Sequence, residues 1–297
     1  MLFDSNVFTV IPTLFKDNGE VDYDSIMTHI SRQKEAGIKT IVIMGTTSET
    51  PTLTIEEKIT LTTIVWDKFN TTLNIVIGIG GFNTLTVQSS LLVFKTLCHG
   101  FMISTPYYNK PSQEGLYKHF FSLAHSVPEH PIILYNVPSR TGVNMLPSTV
   151  IRLYNDCENI KAIKEASGSL DQVSEIVSNS DMIVLSGDDS LVLPMLSVGA
   201  QGCISVTSNV FPQKMIEMVE LFKSGKTSEA SLVHKHLFPV FKLMFCETNP
   251  APLKYFMHKF QMHTNYDVRL PLVKLSDSSV ENINFYFRTL QSSIIEV

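Results

Sequence analysis

Short apolar, β-branched runs recur along the chain at intervals of about 25–35 residues, each followed by a polar and apolar mixture of helical period. The runs are VFTVI (7–11), KTIVIM (39–44), LNIVIG (73–78), GFMIST (100–105), PIILYN (131–136), IKAIKE (160–165), MIVLSG (182–187) and GCISV (202–206). Their near-continuous apolarity is what a parallel sheet buried on both faces requires. Helix-start chemistry lies between them. Asp22 is placed to cap a helix running to Ala36, and Thr54 with Glu57 has the pattern of a capping box for a helix ending near Asn70. Ser112 and Pro147 open later helices. Eight βα units in roughly 210 residues predict an α/β fold of the (β/α)8 TIM-barrel type rather than an open sheet. From Lys226 onward strand signals cease, and helical periodicity continues, broken by NPAP at 249–252 and RLPL at 269–272. The expected organisation is a barrel over residues 1–225 and a C-terminal helical region over 226–297.

Composition narrows the function classes. Charged residues make up 17% of the 297, below the usual ~25%, so much surface is expected to leave water in a large core or between subunits, and a homo-oligomer is expected. The net charge is −5 with no lysine or arginine stripe, which argues against nucleic acid as a partner. No apolar run approaches the ~20 residues of a membrane span, so no membrane partner is expected. The start, MLFDSNVFTVIPT, has Asp4 where a leader would be apolar and runs straight into a strand, so no targeting segment is expected. Cys98, Cys157, Cys203 and Cys246 form no CxxC pair and read as reduced packing thiols of a cytoplasmic protein.

In a barrel of this kind the reactive groups gather where strands end at their C-terminal edge. Strand two ends in GTTSE (45–49), where Thr46 and Thr47 offer hydroxyls and backbone N–H groups suited to a carboxylate, although such threonines also serve as ordinary turn residues. Strand five ends in YNVPSRTG (135–142), bringing the Tyr135 phenol to the mouth with Arg140 five residues on, where a guanidinium can fork a carboxylate. Strand six ends with Lys164, projecting inward by alternation from Ala162. Lysine is almost never buried without a partner. An inward lysine among hydroxyls suits Schiff-base chemistry with a carbonyl substrate, because the nucleophile is the neutral amine and a dry site favours that form. The plainer alternative is a lysine ion-paired to a barrel carboxylate. TPYYNKPS (105–112) is a stiff aromatic loop, fit either to cover the rim or to lend a tyrosine hydroxyl to a proton relay.

Taken together, GTTSE (45–49), TPYYNKPS (105–112), YNVPSRTGV (135–143), IKEASG (163–168), SGDD (186–189), GCISVTSN (202–209) and ETNPAPLK (247–254) resemble the dihydrodipicolinate synthase family, relatives of N-acetylneuraminate lyase, over nearly the whole chain. The resemblance implies that pyruvate forms an imine on Lys164, that Tyr135 handles protons at the imine, and that Thr46 and Tyr108 complete a relay, Tyr108 reaching into a neighbouring subunit's site. It also implies that Thr47 holds the pyruvate carboxylate, that Arg140 engages the carboxylate of aspartate semialdehyde, and that Gly187 and Ile204 line the pocket. The implied reaction joins pyruvate to L-aspartate 4-semialdehyde to give 4-hydroxy-tetrahydrodipicolinate, on the route to lysine. It needs no cofactor, and the family pairs dimers into tetramers.

Two departures stand out. Ser48 replaces the glycine of the family's GTTGE, and Ile55, Lys58, Phe82 and Thr86 stand where the bacterial lysine-feedback pocket usually has histidine, asparagine and glutamate, with Tyr107 alone matching. Feedback by lysine is therefore not expected. The competing enzyme reading keeps the pyruvate imine and changes the aldehyde to a sugar, as in sialic acid or keto-deoxy-sugar-acid aldolases; Arg140 speaks for the synthase. A non-catalytic barrel binding keto acids is the competing reading of another class, against which the retention of the lysine, both threonines and both tyrosines argues. GIGG (78–81) lacks the continuation of a phosphate loop, Asp188 and Asp189 lack convergent ligands, and His234 and His236 point apart on a helix, so no metal site is expected.

Overall fold

The computed structural model describes residues 2–3 and 5–290. Asp4 and residues 291–297 of the expected C-terminal region lie outside them. Eight strands, β1 (Val7–Val10), β2 (Thr40–Ile43), β3 (Asn74–Ile79), β4 (Gly100–Ser104), β5 (Ile132–Asn136), β6 (Ile160–Glu165), β7 (Ile183–Ser186) and β8 (Gly202–Ser205), pair in parallel and in chain order. The sheet closes where Val7, Phe8 and Thr9 of β1 meet Cys203, Ile204 and Ser205 of β8. Each strand falls on its predicted run to within a residue or two. The reason is visible in the burial: seven of the strands are buried at nearly every position, because side chains fill the barrel on one face and meet helices on the other. In β6 the exception is Lys161, at the end of the barrel opposite the mouth.

The helices are α1 (Tyr23–Glu35), α2 (Ile55–Phe69), α3 (Thr84–Phe94), α4 (Gln113–Ser126), α5 (Pro138–Thr141), α6 (Pro147–Asp156), α7 (Leu170–Asn179), α8 (Val192–Ser197), α9 (Pro212–Lys223), α10 (Thr227–Met244), α11 (Ala251–Lys259) and α12 (Asp277–Leu290). Their starts follow the sequence. Asp22 accepts the Ser25 N–H at 3.0 Å. At α2 the Thr54 hydroxyl accepts the Glu57 N–H at 3.2 Å while the Glu57 carboxylate accepts the Thr54 N–H at 2.9 Å, a reciprocal capping box. Ser112 caps α4, and Pro147 takes the first position of α6, where no N–H is needed. The last three helices bring their own residues back over the mouth of the barrel, which is how positions 249, 254 and 269 come to touch the loop after β2.

That loop is held close to the next strand. A Cβ on Gly78 of β3 would stand 2.7 Å from the Met44 carbonyl oxygen and 2.8 Å from Gly45 Cα, so only glycine lets the GTTSE turn lie against β3. The turn itself is a single 3-10 turn over Thr46–Ser48, closed by Glu49 in the left-handed region at φ 51°. Among the described residues no helix is long and apolar enough to cross a membrane.

Candidate active site

Strand register assembles the centre. Ser104 of β4 lies beside Tyr135 of β5, and Tyr135 beside Lys164 of β6, so the three side chains leave the sheet in one row on one face. The neighbouring row, Asn136 beside Glu165, faces the helix layer: the Glu165 carboxylate accepts from Gln172 of α7 at 2.9 Å, from Asn136 at 3.1 Å and from the Ser167 N–H at 2.7 Å. Alternation thus sends the lysine into the barrel and its acidic neighbour out of it. Lys164 is 5% exposed and makes no ion pair with a described residue; its Nζ sits 4.4 Å from the centroid of the Tyr135 ring. The alternative of a lysine locked to a barrel carboxylate is therefore not what the chain adopts. The Asp188 carboxyl feels the positive charge of Lys164. Burial pushes that carboxyl above its ordinary range, partly offset by the lysine's positive charge.

Above this row opens a cleft of about 450 Å³ whose walls include Thr46, Ser104, Tyr135 and Arg140. No described residue takes up the Thr46 or Tyr135 hydroxyl, and both residues line the cleft. Arg140 projects from the short α5, exposed at the rim. Thr47 is buried beside the cleft and its hydroxyl accepts a hydrogen bond from Asn249 at 2.9 Å. Gly187, just past β7, donates its N–H to the Glu165 carbonyl at 2.8 Å, and a Cβ there would lie 3.1 Å from Lys164 Cε. Ile204 is fully buried in β8, in register with Phe8, and is not among the residues walling the cleft.

Tyr108 stands apart. It is 87% exposed, in the left-handed region at φ 66°, and does not line the cleft of its own chain, whereas Tyr107 does. The outer cleft is walled by Thr50, Pro51, Lys58 and Tyr107, and burial draws the Lys58 ammonium below its usual range. The Ser48 departure has a physical role: its hydroxyl donates to the Ile11 carbonyl at 2.6 Å and its own carbonyl accepts from Thr13 at 2.7 Å, tying the threonine turn to the end of β1. Asp189, fully buried, accepts the N–H groups of Val206 and Thr207 at 3.1 and 2.7 Å and so joins the ends of β7 and β8. No group of three or more His, Cys, Asp or Glu suited to a metal occurs among the described residues.

Sequence reasoning passed over a second layer of this site. Glu49 receives the Lys254 ammonium at 2.5 Å and the Arg269 N–H at 2.8 Å, while the Arg269 guanidinium forks Glu57 at 2.6 and 2.7 Å. Both members of the Glu49–Lys254 pair are buried, and desolvation draws the Lys254 ammonium down to about 8 despite the carboxylate beside it. Asn249 was equally missed. The signal was present in ETNPAPLK (247–254), but nothing local in that segment says which turn it will meet.

A buried lysine amine against a tyrosine ring, beside a cleft walled by a threonine and that tyrosine with a guanidinium at its rim, is the equipment of the class I aldolase-type lyases, and that is the enzyme class defined by this barrel and its mouth. A family model described as the dihydrodipicolinate synthetase family matches residues 4–288, and the chain belongs to that family. It is 41% identical over 274 residues to the 4-hydroxy-tetrahydrodipicolinate synthase of Methanococcus maripaludis, covering 92% of this chain and 94% of the relative. With the same-named protein of Desulforamulus reducens the identity is also 41%, over 283 residues, covering 93% and 94%. Among solved structures, the 4-hydroxy-tetrahydrodipicolinate synthase of Methylacidiphilum fumariolicum SolV superposes with a TM-score of 0.94 at 37% identity, covering 98% of this chain and 97% of that one.

Proposed function

We infer that the chain condenses pyruvate with L-aspartate 4-semialdehyde to give 4-hydroxy-tetrahydrodipicolinate, on the route to diaminopimelate and lysine. The observation that carries this reading is the Lys164 amine, buried against the ring of Tyr135, a residue of the cleft wall, and free of any ion pair to a described residue. In the proposed sequence the Lys164 amine attacks the pyruvate C2 carbonyl and water leaves, giving an imine whose positive nitrogen draws electrons from C3. A C3 proton departs through Tyr135, backed by Thr46 and by Tyr108 from a neighbouring subunit, and the resulting enamine attacks the aldehyde carbon. The amino group of the second substrate then closes the ring on C2 and releases the lysine. Thr47 holds the pyruvate carboxylate, Arg140 forks the carboxylate of the semialdehyde, and Gly187 and Ile204 line the pocket. No cofactor enters, since the imine is the electron sink.

The exposure of Tyr108 supports a dimer as the smallest working unit; pairing into a tetramer and a cytoplasmic location are part of this proposal. The division into a barrel over 1–225 and a helical region over 226–297 belongs to the same proposal. Borohydride reduction in the presence of pyruvate is expected to add a three-carbon label at Lys164 that vanishes in Lys164→Ala; labelling elsewhere, or none in the unaltered protein, overturns the mechanism. In the same assay Arg140→Ala should keep its pyruvate label while losing at least about ten-fold in kcat/KM with aspartate semialdehyde, the loss of one charge-assisted fork. A preference for sugar aldehydes over aspartate semialdehyde would move the chain to the sugar-acid aldolases.

A further inference from the structure

Thr47 and Asn249 are separated by 202 positions and meet in a buried hydrogen bond, Asn249 Nδ2 donating to Thr47 Oγ1 at 2.9 Å. A hydroxyl has one proton and two lone pairs. Because the amide occupies the oxygen as a donor, the threonine's own proton must point elsewhere, and no described residue accepts it. The other end of the amide is equally telling: Asn249 Oδ1 is buried without a partner, so the side chain's only bond inside the described chain is the one that sets Thr47. Asn249 also lines the cleft and is 4% exposed.

The backbone on both sides of this contact is fixed. Lys254, on α11 just beyond Asn249, pairs with Glu49 at 2.5 Å, and Glu49 takes the Arg269 N–H at 2.8 Å; the amide therefore approaches the threonine turn from a segment anchored to that same turn. We propose that Asn249 is a positioning residue that turns Thr47 into an obligatory hydrogen-bond donor aimed into the cleft, so that the threonine meets an incoming carboxylate with its proton already presented. The proposal rests on the reading that Thr47 receives the pyruvate carboxylate, and it adds the device that sets the donor's direction.

The experiment is the pyruvate concentration giving half-maximal borohydride labelling of Lys164, measured in the full-length chain with Asn249→Ala, Thr47→Val and the two combined, with melting temperature followed alongside. Asn249→Ala should raise the half-saturating pyruvate about five-fold in the unaltered background, the worth of one oriented neutral hydrogen bond. In the Thr47→Val background it should change nothing, because there is no proton left to orient. Equal rises in both backgrounds, or no rise in either, overturn the proposal. Asn249→Asp is the near-isosteric second variant: its carboxylate accepts the Thr47 proton and withdraws it from the cleft, so half-saturation should rise further than in Asn249→Ala. If Asn249→Asp saturates as the unaltered protein does, Thr47 is not the donor and the proposal falls. Absence of any label in the unaltered protein overturns the imine reading beneath it and this proposal together, whereas normal labelling with additive variants removes this proposal alone.

Discussion

At Gly187 a single hydrogen atom keeps Lys164 where it is. A methyl group in its place would stand 2.7 Å from the Ala166 Cβ and 3.1 Å from Lys164 Cε, and the first of those contacts has no flexible end to yield. Gly187→Ala is therefore expected to displace the end of β6, costing about 1–3 kcal/mol of stability as an overpacked site and slowing pyruvate labelling of Lys164; stopped-time labelling and urea denaturation read the two effects separately. Lys164 and Tyr135 could be placed at the mouth from the sequence because each closes an apolar run, and the mouth of a barrel is where such runs end, whereas Gly187 entered only through the family resemblance. Asn249 and Lys254 were not, since their partners Thr47 and Glu49 lie some two hundred residues away and no local spacing encodes that meeting. Ser48 looked like a departure from a glycine turn, and only its bonds to Ile11 and from Thr13 show it as a tether.

Elements were readable in proportion to their length and to how locally they are determined. The eight strands declare themselves because burial on both faces leaves little room for polar residues, and α2 declares itself through Thr54 and Glu57, which form the reciprocal pair that their three-residue spacing predicts. The 3-10 turns at Thr46–Ser48 and Thr207–Asn209 and the four-residue α5 carry no such pattern, being shaped by what they rest on. Glu57 serves two elements at once, closing the cap of α2 and receiving both arms of Arg269 from the chain beyond α11. Thr54→Ala removes the cap and leaves the arginine contact, so a loss of about 1 kcal/mol is expected, with pyruvate labelling within about two-fold of normal because the threonine turn keeps its other anchors. Chemical denaturation alongside the labelling assay checks both.

For the molecule as a whole, buried histidines set the acid limit. His29 of α1 is fully enclosed, bonded to Asn209 at 2.8 Å, and desolvation draws its imidazolium down to about 4; burial does the same to His119 of α4. In the unfolded chain both titrate near 6.5. Between those values the unfolded state binds protons that the folded state refuses, so stability falls as pH drops from about 6.5 to about 4, by about 3 kcal/mol for His29 alone. The fall in stability across that window, followed by urea titrations at stepped pH, should shrink by about that amount in His29→Gln, whose amide can still reach Asn209. Closure of the sheet carries a different consequence. Phe8, paired with Thr40 on one side, finds its second neighbour only in Ile204, so on a ribosome adding roughly 5–20 residues each second the first strand waits about 10–40 s with one flank bare. A bare flank invites pairing with any nascent chain nearby, which makes the interval before the eighth strand emerges the time when newly made copies most need shielding from one another.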